Sequence, residues 1–379
     1  MILLLVPLCL RVTGGLYFRD LNFMNTLVII PFLMLSFYAC AGGAEKKTAE
    51  QESSTGKIQL VDDKSGQKVD VLIDGKLFTS YLYPDTLPVL KKPVLYPIVS
   101  ANGVTITRGF PLDPRQGERT DHPHHIGLWL NYGDVNGLDF WNNSDAIPEE
   151  RRSVMGVIRN EKILGMKNDG NKAELTVAAD WLEPDGSVLL KEKTTYTFMA
   201  EDDLRIIDRQ TTLTALDKRV LFKDNKEGML GLRMARQLEL PSHKPVVLSD
   251  SHGKKTTVAK MSNEGVTGDY LNSEGVTGGE VWGKRAKWCA LSGTVEGKSV
   301  TVVIMDKPGN VGYPTYWHAR GYGLFAANPL GQKIFSKGRE ELNFELKPHE
   351  SVTFTYRIGI FNGKPAKETL DKKYQNFIE

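Results

Sequence analysis

Residues 172–182 read KAELTVAADWL, with apolar side chains at every second position from Ala173 to Trp181. Successive side chains of a β-strand point to opposite faces of the sheet, whereas a helix repeats every 3.6 residues. Strict alternation therefore indicates a strand with one buried face and one polar face. We predict a β-strand over this stretch.

Further segments along the chain show the same alternation and are rich in Val, Ile, Thr, Tyr and Phe. Turn-forming clusters separate them, such as DDKSGQ, EPDGS, DKPGN and FNGKP. One helix is predicted, from Pro365 to Phe377, because Leu370, Tyr374 and Phe377 follow helical spacing. The additional predicted strands cover residues 68–83, 192–200, 204–215, 298–306 and 350–361.

Strand after strand with a single C-terminal helix predicts an all-β fold, a large antiparallel β-sandwich with a short C-terminal helix. No Gly- or Pro-rich linker interrupts the strands, so residues 57–379 are expected to form a single domain. The 379 residues carry a formal net charge of +2, with 41% hydrophobic and 25% charged side chains. No sustained stripe of Lys and Arg is present, and we therefore expect no nucleic-acid partner.

The N-terminal region has the features of an export signal. Residues 26–39 form a short uncharged apolar run that ends at Cys40, and a small-residue and polar tract follows. The run has the length of a signal-peptide core, and Cys40 resembles the lipidation site of a bacterial lipoprotein. We predict a signal segment over residues 1–40, with Met24 as a plausible true start, and a flexible linker over 41–56. Membrane contact would be through this lipid anchor alone.

Residues 121–129 read DHPHHIGLW and contain three of the seven histidines. In a strand, His122 and His124 would share one face and His125 would take the other, with Pro123 at an edge or strand start. Such a cluster could ligate Zn²⁺ or Fe²⁺ or perform general acid/base catalysis, and it could also only hydrogen-bond a loop.

Residues 129–143, WLNYGDVNGLDFWNN, mix aromatic rings with short amides and carboxylates. Sugars stack on aromatic faces and pair their hydroxyls with Asn and Asp, so Trp129, Asn131, Asp134 and Asn136 are candidate ligand-binding residues. A β-turn flanked by core aromatics has the same composition. The residues alone do not separate these two interpretations.

Two later segments place charged groups among apolar ones. Glu227 and Arg233 lie in DNKEGMLGLRMARQLEL, and His318 and Arg320 lie in the Gly-rich stretch YWHARGYG, after Tyr316. The second stretch is too polar and too rich in glycine for a plain core strand, which favours a functional role for His318.

Five ordered motifs spanning roughly residues 90–360 resemble the PmoA-like domain family. They are YPIVSANGVTITRGFP, DHPHHIGLWLNYGDVNGLDFW, EGMLGLRMARQLE, NSEG…VWGKRAKW and YPTYWHARGYGLFAANPLG. The resemblance implies a β-supersandwich similar to galactose mutarotase. Mutarotase-like chemistry would then make His124 or His318 the acid and Glu227 or Glu274 the base, with Arg233 orienting a sugar oxygen.

We therefore predict an exported carbohydrate-active protein that performs acid/base chemistry of the epimerase, lyase or hydrolase type on a small-molecule or oligosaccharide ligand. The alternatives are a metal-dependent enzyme that uses His122, His124 and His318, or a non-catalytic glycan-binding lipoprotein. The label of the PmoA-like family, methane oxygenase, implies an integral membrane protein. Methane oxygenation is not expected here, because no apolar run beyond Cys40 approaches the ~20 residues of a membrane span. The candidate catalytic residues are His122, His124, His125, His318, Glu227 and Glu274, and the candidate substrate-binding residues are Asp121, Trp129, Asn131, Asp134, Asn136, Arg233, Trp282, Tyr316, Arg320 and Asn328.

Overall fold

The computed structural model describes residues 57–85, 87–249 and 254–379. The predicted signal segment, Cys40 and the linker lie outside the described residues. In the described part of the chain, no helix is both long and apolar enough to cross a membrane.

β-Strands are the main secondary structure of the described chain. In chain order they are β1 (Ile58–Asp63), β2 (Lys68–Ile73), β3 (Lys76–Leu82), β4 (Val94–Ile98), β5 (Leu128–Tyr132), β6 (Val157–Asp169), β7 (Lys172–Leu182), β8 (Val188–Glu201), β9 (Leu204–Ala215), β10 (Val220–Phe222), β11 (Gly228–Arg233), β12 (Val246–Ser249), β13 (Lys255–Val258), β14 (Asp269–Asn272), β15 (Trp288–Val295), β16 (Lys298–Asp306), β17 (Tyr316–Ala319), β18 (Leu324–Asn328), β19 (Phe344–Leu346) and β20 (Ser351–Asn362).

Two antiparallel sheets of eight strands each form the fold. The first has the order β1-β2-β3-β4-β5-β11-β18-β17, and the second has the order β14-β15-β16-β20-β9-β8-β7-β6. Two short ladders, β10-β19 and β12-β13, complete the set. Apolar side chains from both large sheets belong to one buried cluster, with Trp181 of the second sheet and Leu232 of the first among them. The predicted all-β antiparallel sandwich is confirmed.

Strand predictions from alternation hold well in the second sheet. β7 runs from Lys172 to Leu182 and buries every second side chain, as predicted. The prediction of one strand over residues 68–83 is wrong, because the stretch is a hairpin of β2 and β3. Asp74 and Gly75 have φ of 50° and 74°, and positive φ at both central residues is typical of a tight hairpin turn.

The helices are few and short. Within the described residues, α1 spans Gln332–Phe335 and α2 spans Lys367–Ile378. Three 3₁₀ helices lie at Glu149–Val154, Arg236–Leu238 and Gly278–Val281. The predicted C-terminal helix is confirmed as α2, whose buried side chains join Trp288 in a second apolar cluster; these side chains are Leu370, Tyr374 and Phe377.

The outer face of the first sheet carries a row of paired residues across four strands. Trp129 on β5 lies opposite Gly231 on β11, which lies opposite Ala326 on β18, and Ala326 lies opposite His318 on β17. The two small residues leave space between the large side chains at the ends. A Cβ added at Gly231 would lie 2.4 Å from a ring atom of Trp129.

We predict that Gly231→Ala lowers the free energy of unfolding by about 1–3 kcal/mol, because the new methyl group overpacks the Trp129 ring. Gly165→Ala on β6 is the matched control, since its added Cβ meets nothing within 4 Å. The control should leave stability unchanged or raise it by up to about 1 kcal/mol. Denaturant unfolding of both variants decides the point, and equal effects would contradict the packing of Trp129 over Gly231.

Candidate functional site

The histidine-rich stretch forms a turn before β5. β5 begins at Leu128, and the backbone N–H of His125 donates to the carbonyl of His122 at 2.9 Å. The prediction that these histidines alternate between the two faces of a strand is therefore wrong. Pro123 suits the second position of the turn because its ring fixes φ. As a result, the turn holds all three imidazoles on the same side.

The three rings form a compact cluster with aromatic neighbours. Ring centroids of His124 and His125 are 4.4 Å apart, and His122 stacks on His125 at 4.9 Å. His125 also stacks on Trp129 at 5.3 Å and lies 5.7 Å from Trp141. The side chain of His122 is 41% exposed, whereas His124 and His125 are buried. Solvent and ligands therefore reach His122 first.

Asp121 lies between two buried arginines. Its Oδ1 accepts hydrogen bonds from Arg108 at 2.8 Å and from Arg233 at 2.6 Å. Burial acts to raise the pKa of Asp121, but Arg233, the hydrogen bond with His122 and Arg108 hold it well below its usual range. Asp121 is therefore ionised, and its charge is matched inside the protein.

Arg233 bonds two other residues of the site. Its side chain is fully buried, its Nη2 donates to Asp121, and its Nη1 lies 3.2 Å from Nδ1 of His125. The predicted role of Arg233 in orienting a sugar oxygen stays a prediction. The position of Arg233 fixes Asp121 and His125.

Arg108 fixes the histidine turn and was missed by the sequence analysis. Besides Asp121 Oδ1, its guanidinium donates to the backbone carbonyls of Arg119, Asp121, His122 and His125. Five donations from one buried side chain hold the loop against the sheet. A buried Arg in the apolar motif YPIVSANGVTITRGFP was the signal, but its partners lie more than ten residues away.

His318 and Glu227 converge on the same outer face. Nδ1 of His318 has no hydrogen-bond partner and lies 4.0 Å from Oε2 of Glu227. His318 shares the outer face of the first sheet with Trp129, on which His125 stacks. The cluster at residues 122–125 and His318 therefore meet on one face of one sheet.

Tyr322 connects these groups. Its ring stacks on His122 at 5.1 Å, and Arg320 lies 5.6 Å from its ring centroid. Burial raises the pKa of Tyr322, and four nearby charges also act on it: those of Arg233, Arg320, Glu227 and Asp121. Arg320 is exposed and also lies over the ring of Trp282, at 5.7 Å from its centroid.

Burial changes the chemistry available to the histidines. It lowers the pKa of His318 to about 3, helped by the positive charges of Lys226 and Arg320. Burial also lowers the pKa of both His124 and His125 well below its ordinary value. These rings are neutral near pH 7. The acid role that the resemblance implied for His124 or His318 is therefore not supported.

A buried lysine lies beneath the cluster and was also missed. Nζ of Lys92 donates to the carbonyl of His124 at 2.7 Å and lies 5.2 Å from the ring centroid of Trp129. Burial lowers the pKa of Lys92 to about 7, partly offset by the negative charge of Asp139.

Several predicted ligand-binding residues serve the backbone instead. The side chain of Asp134 accepts a hydrogen bond from the N–H of Gly137. The amide of Asn136 donates to the carbonyl of Arg219 and accepts from the N–H of Leu221. The stretch at 134–137 is therefore a structural turn. All the hydrogen-bonding capacity of the Asn328 amide is used by four backbone groups, of Asn225, Lys226, Leu330 and Gly331.

Other candidates differ in their setting. Glu274 is exposed and hydrogen-bonds Ser273, and no described contact joins it to the histidines. Nδ2 of Asn131 donates to the Phe140 carbonyl, while its buried Oδ1 has no partner. Tyr316 and Trp282 both pack against the ring of Phe335.

A cavity of about 350 Å³ lies beside the histidine turn, a size within the range of small-molecule sites. Asp121, His122 and His124 line one side, and Ile147 and Val247 are among its apolar residues. Among the described residues, no group of three or more His, Cys, Asp or Glu is arranged to hold a metal ion. The predicted ligand set of His122, His124 and His318 does not form such a group.

The family model described as "Family of unknown function (DUF6807)" matches residues 68–375. No curated protein matches the chain. A GH36 α-galactosidase from Geobacillus stearothermophilus is 11% identical over 80% of this chain, with a TM-score of 0.36, and the chain spans 41% of its length.

Two smaller solved structures match over nearly their whole length. A galactose mutarotase-like protein from Clostridium acetobutylicum is 14% identical over 80% of this chain and 98% of its own, with a TM-score of 0.34. A galactose 1-epimerase from Lactobacillus acidophilus is 9% identical over 82% of this chain and 100% of its own, with a TM-score of 0.34. The names of all three structures refer to sugars.

We predict that His318 makes the protein less stable in acid. Its pKa falls from 6.5 to about 3 on folding, so below pH 6.5 the unfolded chain binds a proton that the folded chain does not. The free energy of unfolding is therefore not reduced by His318 above about pH 6.5, and it falls as the pH drops below this value. At about pH 5 the loss for this one residue is about 2 kcal/mol.

His318→Gln should flatten the fall in denaturant midpoint between about pH 7.5 and pH 5. The exposed His243 gives the control variant, His243→Gln, which should follow the wild-type pH profile. An unchanged slope in His318→Gln would mean that His318 takes up its proton in the folded protein.

Proposed function

The chain belongs to DUF6807, a family of unknown function, and from its site we propose that it binds a carbohydrate and transfers protons on it. The proposal places the ligand on the outer face of the first sheet, between Glu227, His318 and His122. Assignment to the narrower PmoA-like group stays a proposal based on the five sequence motifs.

One observation carries this proposal: two hydrogen-bond acceptors lie side by side without a donor between them. The ring of His318 hydrogen-bonds the backbone of Lys226, and a neutral imidazole has one proton, so Nδ1 is a bare acceptor. Oε2 of Glu227 is a second acceptor 4.0 Å away. Neighbouring hydroxyls of a sugar supply donors for both.

The surroundings also suit a sugar. His122 and Tyr322 present stacked rings, and the exposed Arg320 offers donors beside Tyr322 and Trp282. Ring faces pack against the C–H faces of a sugar, while guanidinium groups pair with its oxygens. The cavity of about 350 Å³, which Asp121, His122 and His124 line, is large enough for a ligand of this class and reaches the proposed site at His122.

The groups favour chemistry with one acid and one base. Glu227 accepts the proton of a sugar hydroxyl, and the exposed His122, beside the Asp121 carboxylate, donates a proton to a second oxygen of the same ligand. Glycosidic hydrolysis ordinarily needs two free carboxyl groups, and Asp121 is already paired with Arg108 and Arg233. Epimerisation or elimination is therefore preferred over hydrolysis.

Non-catalytic glycan binding is the second candidate. It is favoured by the burial of His124 and His125, whose rings contact aromatic neighbours and supply no proton near pH 7. In this case Glu227 and His318 would only bind hydroxyls.

We predict that Glu227→Gln lowers turnover by roughly 10²–10⁴-fold, because the amide cannot accept the proton, while ligand binding persists. The measurement is a panel of mono- and oligosaccharides, with binding followed by saturation-transfer NMR and turnover by solvent-deuterium exchange and product analysis. Glu274→Gln is the matched control and should behave as wild type.

Full turnover by Glu227→Gln would exclude Glu227 as the base. Binding without turnover in the wild type, unaffected by His122→Gln, would select the non-catalytic candidate. Absence of binding to every sugar in the panel would overturn the proposal as a whole.

Export and lipid anchoring at Cys40 form a separate proposal, supported by the apolar run before that residue. Expressed in a Gram-negative host, the full chain should fractionate with membranes and incorporate radiolabelled palmitate. Cys40→Ser should abolish labelling, whereas Cys289→Ser should not, because Cys289 is buried in the fold. Label retained in Cys40→Ser would exclude this lipidation site.

A further inference from the structure

A second cavity, of about 610 Å³, contains Trp282, Tyr316 and Phe335; we name it the Trp282 cavity. It adjoins the proposed site through shared aromatic contacts. The ring of His318 lies 5.6 Å from that of Phe335, and Arg320 lies over both Trp282 and Tyr322. The Trp282 cavity and the proposed site are therefore neighbours.

The floor of the Trp282 cavity is aromatic. The rings of Trp282 and Phe335 meet edge to face at 5.5 Å, and Tyr316 stacks on Phe335 at 5.6 Å. The buried indole Nε1 of Trp282 has no hydrogen-bond partner. An unpaired indole donor beside an apolar surface suits a sugar, which offers both C–H faces and oxygen acceptors.

The rim of the cavity is cationic. The lining has one carboxylate, that of Glu280, and four cationic side chains, those of Lys284, Arg285, Lys337 and Arg339. The charge of Arg285 is balanced within the protein, because its guanidinium forms an ion pair with Glu340 and lies 4.3 Å from the ring centroid of Tyr316.

The remaining three cations, Lys284, Lys337 and Arg339, are exposed and make no ion pair with a described carboxylate. Arg339 acts on the nearby Glu340, so the rim has an excess of positive charge that is only partly balanced. Excess charge around a concave surface attracts ligands of the opposite sign and lowers the cost of binding them. A neutral ligand would gain hydrogen bonds from these groups but no charge–charge attraction.

We propose that the Trp282 cavity binds a saccharide unit that carries a carboxylate or sulfate group, so that the ligand is an acidic oligosaccharide. The inference rests on the proposed carbohydrate function and adds the charge and length of the ligand. Trp282 stacks on the sugar ring and its indole N–H donates to a ring substituent, while Lys284, Lys337 and Arg339 pair with the anionic group.

The test titrates the purified protein calorimetrically with matched pairs of oligosaccharides. Uronic-acid trimers built from galacturonate, glucuronate or mannuronate are compared with their methyl esters, and sulfated carrageenan oligomers with their desulfated forms. At low salt at least one acidic member should bind about tenfold or more tightly than its neutral partner, and the difference should shrink at 0.5 M NaCl. The uronate and sulfate pairs identify the anionic group.

The triple variant Lys284→Gln, Lys337→Gln, Arg339→Gln should bind the acidic ligand no better than the neutral one. A control with a matched loss of charge is the triple variant Lys193→Gln, Lys347→Gln, Lys372→Gln, at exposed lysines outside the cavity. The control should keep the preference for the acidic ligand. Equal binding of both members in every pair, or equal effects of the two triple variants, would overturn the inference.

Failure of this inference and failure of the proposed catalysis give different results. Turnover of neutral sugars without a charge preference would retain the proposed function and remove the acidic ligand. A charge preference that survives in Glu227→Gln, without turnover in the wild type, would retain the Trp282 cavity and remove the catalysis.

Discussion

The site depends on a buried ion cluster in which one carboxylate, Asp121, faces the guanidinium groups of Arg108 and Arg233. Placing these charges inside the protein has a desolvation cost that close pairing and hydrogen bonding must offset, and removing one partner of such a pair typically costs about 3–5 kcal/mol. The cluster fixes residues 119–125, which form a loop and not a strand. Arg108 donates to four carbonyls of residues 119–125, so the histidine turn has one position relative to β5 and β11.

Fixing the turn in this way determines which histidines are available for chemistry. His124 and His125 lie in the interior near Arg108 and Arg233, where burial and, to a lesser extent, positive charge lower the pKa of both rings and keep them neutral. His122 remains at the surface because the turn gives it φ of 45°, a left-handed conformation that is costly for a non-glycine residue. Backbone strain of this kind persists only where surrounding contacts impose it. Here the contacts are those of Arg108 with the carbonyls on both sides of His122.

Most of the fold could be predicted because a strand with one buried face shows its period in the local sequence. The limits of β7 and β9 follow from this alternation. The hairpin within residues 68–83 was missed because the alternation continues on both sides of the turn at Asp74 and Gly75.

The site was harder to predict because its geometry comes from contacts distant in sequence. Glu227 and Glu274 have equivalent local contexts, yet only β11 brings its neighbour Glu227 next to His318. Asp134 and Asn136 fitted either a sugar site or a turn, and the turn interpretation is correct because their side chains bond the backbone. A period-2 pattern also cannot show that the outer face of a sheet will be covered.

That coverage explains why the ligand should sit on this face. In a two-sheet sandwich the outer faces ordinarily meet water, but here the loops around Trp141 and Tyr322 cover the outer face of the first sheet and bury polar atoms with it. Five of these atoms lack partners within the described residues: Nε2 of His124 and His125, Nε1 of Trp129 and Trp141, and Oδ1 of Asn131. Each unpaired buried group costs about 1–3 kcal/mol, so a face built this way is stable only if water or a polar ligand occupies it. The proposed polyhydroxylated ligand at the adjoining edge, where Oε2 of Glu227 and Nδ1 of His318 also have no described donor, would relieve the same kind of deficit with the groups that a sugar has in excess.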